Sequence, residues 1–203
     1  MDRPRKPIFF DPTASWVPDA QGDRVRLVPL GAESLLALDR SDRDGLEGLT
    51  ALGWPLELEP PPLVGEHLEF LADRVRIEGA AGGWWNWEIA TRDLAAGVFG
   101  CSGPLTDGGV AEVGYSLYAP FRGRGLASGA LRLALPLILA RPGVRRVRAT
   151  VPVSNSASQW VAKRAGLEVV RHGQTAEDGE TLIFEGPLRA AVGPTEDQSE
   201  PGG

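Results

Sequence analysis

The sequence predicts an α/β chain of the α+β kind: a mixed, mostly antiparallel sheet of about six to seven strands, flanked by about four helices. Three observations carry this. Between Trp84 and Tyr118 three β-rich runs follow one another across Gly- and Asp-bearing turns, which is the pattern of a meander. A glycine-bearing turn leads from the third run into a long apolar helix, Arg124 to Ala140. A strand, a short helix and a hairpin then close the chain.

In order, residues 1–23 carry four prolines among polar residues and read as an extended arm, with Phe9, Phe10 and Trp16 available to lie against the body. The main domain spans 24–188. Arg24 to Pro29 alternates polar with apolar and is the first strand. Gly31 to Arg40 is a short helix. Asp42 to Leu63, ending in Glu59-Pro60-Pro61-Pro62, reads as a long connector with a helical turn near Leu46 to Leu52. Gly65 to Gly79 is the second helix, through Leu68, Leu71 and Val75.

The meander follows. Trp84 to Thr91 places Trp85, Trp87 and Ile89 on one face, Gly97 to Gly103 is the next strand, and Glu112 to Tyr118 the third. In that third strand Val113, Tyr115 and Leu117 share one face, and Glu112, Gly114 and Ser116 the other. Pro120 stops it. The helix over 124–140 is bent or opened by Pro136 and ends at Arg141-Pro142-Gly143. Val144 to Val153 is a strand. Ser156 to Ala165 is a helix with Asn155 or Ser154 as N-cap and Gly166 as a left-handed C-terminal cap. Leu167 to Arg171 and Thr181 to Phe184 form a hairpin around Thr175 to Gly179. The acidic stretch 189–203 lacks large apolar residues, the composition of a disordered tail.

Composition narrows the function. A net charge of −6 speaks against a nucleic-acid binder, which shows a basic surface. The single cysteine, Cys101, excludes an intramolecular disulfide and any cysteine-built zinc site; with His67 and His172 the only histidines, no metal is expected. The most apolar run, Leu126 to Ala140, is too short for a membrane span, and no signal peptide is evident, so a cytoplasmic location is the expectation.

The chemistry concentrates in Tyr118 to Ser128. Gly123 and Gly125 let the backbone turn sharply, and the helix that starts there has amides without internal partners and the positive end of its dipole. Arg122 and Arg124 add charge, so the turn suits a phosphate. An ordinary strand-to-helix connection accounts equally for the glycines alone. A dinucleotide fingerprint fits poorly: Ser128 stands where a third glycine is needed, and Arg145 and Arg146 occupy the region of the acidic residue.

Arg122-Gly123-Arg124-Gly125-Leu126-Ala127 resembles the Gln/Arg-x-x-Gly-x-Gly/Ala signature of the GNAT superfamily of acyl-CoA-dependent N-acyltransferases. Asn155-Ser156-Ala157-Ser158 with Lys163-Arg164-Ala165-Gly166-Leu167 is similar to its second conserved segment, Leu167 standing where phenylalanine is usual. Glu112-Val113-Gly114-Tyr115 resembles the ribosomal-protein N-terminal acetyltransferase (RimJ/RimL-like) branch. The resemblance implies a GNAT fold and acetyl-CoA as co-substrate, lying where the central strand parts from its neighbour. Its pantetheine arm would run along Ser116, Leu117 and Tyr118. Its diphosphate would rest on Gly123, Gly125, Leu126, Ala127 and Ser128, with Arg122 and Arg124 at the rim and Asn155 on the arm or thioester.

Transfer to an amine moves two protons. Glu112 is the candidate general base, through a water; a solvated strand carboxylate is the competing role. Ser158 matches the position proposed to assist the departing thiolate in the RimJ/RimL-like branch, against an ordinary first-turn serine. Tyr118 and Tyr115 are the reserves. Trp54, in the connector that borders the acceptor site in this family, is a candidate acceptor contact; pinning the loop to the core is its other role. The acceptor implied is a primary amine, a protein N-terminus or a small molecule. Non-catalytic acyl-CoA binding and nucleotide binding are the competing classes, and a homodimer stays open.

Overall fold

A computed structural model describes residues 17–18, 24–39, 42–50, 52–54, 68–78, 86–92, 94–101, 105–106 and 108–186. The 189–203 tail, most of the N-terminal arm and the Pro-rich stretch of the connector lie outside the described residues.

Eight strands form one sheet: β1 (Val17–Pro18), β2 (Arg24–Pro29), β3 (Asn86–Thr91), β4 (Leu94–Cys101), β5 (Val110–Leu117), β6 (Arg146–Pro152), β7 (Glu168–Thr175) and β8 (Gly179–Gly186). Their spatial order is β1-β2-β3-β4-β5-β6-β8-β7. Every neighbouring pair is antiparallel except β5 and β6, which run parallel. The helices are α1 (Ala32–Asp39), α2 (Arg43–Thr50), α3 (Leu68–Glu78), α4 (Leu126–Leu139) and α5 (Ser156–Arg164). The seven longer strands are those of the sequence reading. The structure adds the two-residue β1 at the sheet edge and turns the expected single turn near Leu46 into the two-turn helix α2.

α2 forms despite Gly45 and Gly48, because its Leu46 is fully buried and the Asp42 carboxylate accepts the Gly45 amide at 3.0 Å. α1 touches both α2 and α3. α4 packs across β1, β2, β3, β5 and β6; Gly129 lets it approach β2 so closely that a Cβ would stand 2.7 Å from Val25. The face of the sheet under α4 therefore carries Val25, Leu27 and the aromatic row Trp87, Phe99 and Tyr115, with ring centroids 5.7 and 6.4 Å apart. Glu88, Val98 and Ser116 are paired neighbours on the opposite face.

Candidate active site

The site begins where β5 and β6 part. Their parallel pairing runs through Val110–Arg146, Ala111–Val147 and Glu112–Arg148 and then stops. Beyond that point β5 pairs only with β4, while β6 continues beside β8. The result is a V-shaped gap with one edge of β5 turned toward it. The Tyr118 amide bonds the Ala96 carbonyl on β4, which sets the phase of the strand. By alternation the backbone groups of Ser116 and Tyr118 point at β4, and those of Tyr115 and Leu117 point into the gap. Tyr115 is thus a backbone candidate that motif reasoning missed; strand phase could have found it. The Leu117 carbonyl accepts the Arg122 Nε–H at 2.9 Å.

At the wide end of the gap lies the glycine loop. A 3-10 turn, Ala119–Phe121, leads into Gly123 and Gly125, both in the left-handed region at φ 73° and 79°. Gly125 is the N-cap of α4 and supplies no side-chain oxygen, so the first-turn amides Leu126, Ala127 and Ser128 precede the first intrahelical bond, from Gly129 N–H to the Gly125 carbonyl. Ser128 is buried in that turn. Arg122 is exposed, and the Arg124 guanidinium stands 6.0 Å from the Phe121 ring centroid. An uncapped helix start with positive dipole, a glycine path that leaves the backbone open and two arginines suit a diphosphate.

At the narrow end the two sheet faces carry different chemistry. Glu112, half-buried, is held by Thr150 on β6, whose hydroxyl donates to Glu112 Oε1 at 2.5 Å. Beside it Arg148 pairs with Glu185 at 2.6 Å, and Arg146 adds a second contact at 3.0 Å. Burial pushes the Glu185 carboxyl up, but hydrogen bonds from Arg148 and Arg146 outweigh it and hold the group below its ordinary value.

On the α4 face, α5 closes the gap from the far side. Asn155 is its N-cap, accepting the Ser158 amide at 3.0 Å. The Ser158 carbonyl in turn accepts the Tyr115 hydroxyl at 2.9 Å, tying α5 to β5 across the gap. Burial, opposed by a hydrogen bond with the Ser158 side chain, pushes the Tyr115 phenol up to about 12. Glu112 and Ser158 therefore flank the gap from opposite faces of the sheet.

The remaining sequence candidates lie to the side. Trp54 is buried at 3% exposure, its ring 6.4 Å edge-on from Tyr118. Its segment is stitched to β4 by the Ala95 amide and the Gly53 carbonyl at 2.8 Å. The Tyr118 phenol is held above its ordinary value by burial and by nearby Glu88. Cys101 is buried and its thiol pushed up to about 12 by desolvation, so it stays protonated and unreactive at neutral pH. No helix among the described residues is long and apolar enough to cross a membrane.

Among solved structures of similar fold, RimL, a ribosomal L7/L12 α-N-protein acetyltransferase, aligns at TM-score 0.57 and 17% identity, covering 82% of this chain and 94% of its own. Mycobacterium smegmatis RimJ in complex with CoA-disulfide aligns at 0.54 and 20%, covering 80% and 81%. AAC(6')-Ib with paromomycin and acetyl-CoA aligns at 0.52 and 17%, covering 86% and 99%. No curated protein sequence matches the chain. The family model of the acetyltransferase (GNAT) domain matches residues 24–168, from the start of β2 to the start of β7. With that match spanning most of its length, and its central strands parted above a glycine-bearing helix start, the chain belongs to the GNAT acetyltransferases.

Proposed function

We propose that this enzyme transfers an acetyl group from acetyl-CoA to a primary amine, with the α-amine of a protein N-terminus as the favoured acceptor. The observation that carries the proposal is the gap after the Glu112–Arg148 pair, which gathers an open strand edge, an uncapped helix start and a carboxylate around one space. The diphosphate rests on the amides of Leu126 to Ser128, and the backbone groups of Tyr115 and Leu117 hold the pantetheine arm. Arg122 leaves the Leu117 carbonyl to make room and meets the phosphates. Asn155 lines the side of α5, and Trp54, packed against Tyr118, backs the end of β5.

Glu112, fixed by Thr150, takes through a water the proton that the amine sheds as its nitrogen bonds the acetyl carbon. The carbon–sulfur bond breaks, sulfur keeps the electron pair, and the Ser158 hydroxyl donates a hydrogen bond to it until a proton makes the thiol. Base and donor on opposite faces suit a reaction in which amine and sulfur lie on opposite sides of the acyl carbon. Neutralising an α-amine at pH 7 costs about 1 kcal/mol and a lysine side chain about 4.6 kcal/mol, so a single carboxylate base suits the α-amine. RimL, similar in fold, is named as an α-N-protein acetyltransferase, which supports that acceptor. A small-molecule amine is the second reading; AAC(6')-Ib, equally distant in sequence, holds an aminoglycoside.

The test is a panel of peptides with free or blocked N-termini, polyamines and aminoglycosides, each with acetyl-CoA, read as thiol release. Turnover with free N-termini and none with blocked ones is expected. Turnover confined to the small amines moves the assignment to the second reading, and thiol release independent of any acceptor contradicts both.

A further inference from the structure

Glu88 takes no part in the chemistry above. It is wholly buried on β3, on the sheet face away from α4, in the row Glu88–Val98–Ser116. Its Oε1 accepts the Gly97 amide at 3.1 Å, and its Oε2 is buried without a partner among the described residues. A strand carboxyl in such a place needs a reason, because desolvating one is costly.

The reason lies in β4. Ile89 pairs with Gly97 and Ala90 with Ala95, so Ala96 has no partner on β3 and the strand bulges there. The bulge turns the Gly97 amide out of the ladder, and Glu88 supplies the acceptor it would otherwise lack. Gly97 in turn lies hard against β5: a Cβ on it would stand 2.1 Å from the Ser116 carbonyl oxygen and 2.7 Å from the Leu117 Cα. An unbroken line of contact thus runs from the Glu88 carboxyl through Gly97 to the Ser116–Leu117 peptide, whose far side turns into the gap. The pairing of β5 with β6 has already ended at Glu112, so nothing on the β6 side fixes that peptide by ladder bonds.

We propose that Glu88 is a positioning residue for acetyl-CoA, clamping the Gly97 bulge and so holding the Leu117 backbone where the pantetheine arm must find it. The proposal rests on the reading of the gap as the acetyl-CoA seat. Burial raises the Glu88 carboxyl well above its ordinary range, against the opposing Gly97 hydrogen bond.

Calorimetric titration of acetyl-CoA into wild type, E88Q and E88L, with melting temperatures alongside, tests the clamp. Glutamine keeps an oxygen for the Gly97 amide; leucine keeps only bulk. The expected result is E88Q within about twofold of wild type and E88L at least about tenfold weaker while still melting cooperatively. E88Q as weak as E88L, or E88L as tight as wild type, overturns the proposal. Wild type that binds no acetyl-CoA fells the gap reading itself. Should E88L not fold, exchange of the Gly97 amide decides: slow in wild type and E88Q upholds the clamp, and rapid in wild type overturns it.

Discussion

Glu112 and Thr150 are adjacent in space only because β5 and β6 run parallel for three residue pairs and then separate. The Thr150 hydroxyl fixes which Glu112 oxygen is engaged and leaves the other for the proton. Replacing Glu112 with glutamine is expected to lower kcat about 10²- to 10³-fold, in the range of a lost general base, with acetyl-CoA affinity unchanged. Steady-state kinetics beside calorimetry separates the two quantities, and an undiminished kcat would return Glu112 to the rank of a solvated carboxylate. The alternation of Glu112-Val113-Gly114-Tyr115 already assigned Glu112 a face. Its partner Thr150 was not readable, because a parallel register across the intervening α4 leaves no local mark in sequence. Glu88 was missed for a related reason: it sits among Trp87, Ile89 and Ala90, and only the bulge in a neighbouring strand explains a carboxyl there.

Among the elements, the glycine loop and the start of α5 were the most readable, since glycine conformation and capping are local. Gly123 and Gly125 both adopt positive φ, and Asn155 caps α5. Gly125→Ala forces a Cβ into the left-handed region and is expected to cost about 1–2 kcal/mol of stability and to weaken acetyl-CoA binding. Asn155→Ala loses the cap and about 1 kcal/mol. Denaturant melts of the two variants measure both costs; an unaffected Gly125→Ala would mean that the loop relaxes to negative φ. α2 shows where local reasoning falls short. With Gly45 and Gly48 inside eight residues its propensity is low, and burial of Leu46 decides the matter. The closing hairpin extends beyond its apolar stretches, over Glu168–Thr175 and Gly179–Gly186, because ladder bonds carry polar residues such as His172 and Gln174 into β7.

Across the whole molecule, the half-buried Glu185 and the buried Glu88 give stability opposite dependences on pH. Glu185 is held below its unfolded value of 4.5, so its contribution is present above that pH and is lost as pH falls through the lower folded value. Glu88 is held above 4.5, so the folded state keeps its proton after the unfolded chain has released it, and stability is lost as pH rises toward the folded value. E185Q should therefore be less stable than wild type at pH 7, with the difference shrinking in acid. E88Q should gain on wild type as pH climbs from 4 to 8. Urea melts across that range check both signs, and a pH-independent E88Q difference would mean that Glu88 titrates alike in both states.

These separate effects converge on the gap between β5 and β6, and a crystal structure of the enzyme with coenzyme A tests it most directly. The account predicts the diphosphate on the amides of Leu126, Ala127 and Ser128, the pantetheine arm against the backbone of Tyr115 and Leu117, and Arg122 withdrawn from the Leu117 carbonyl. Coenzyme A bound elsewhere, with Arg122 still on Leu117, would contradict it.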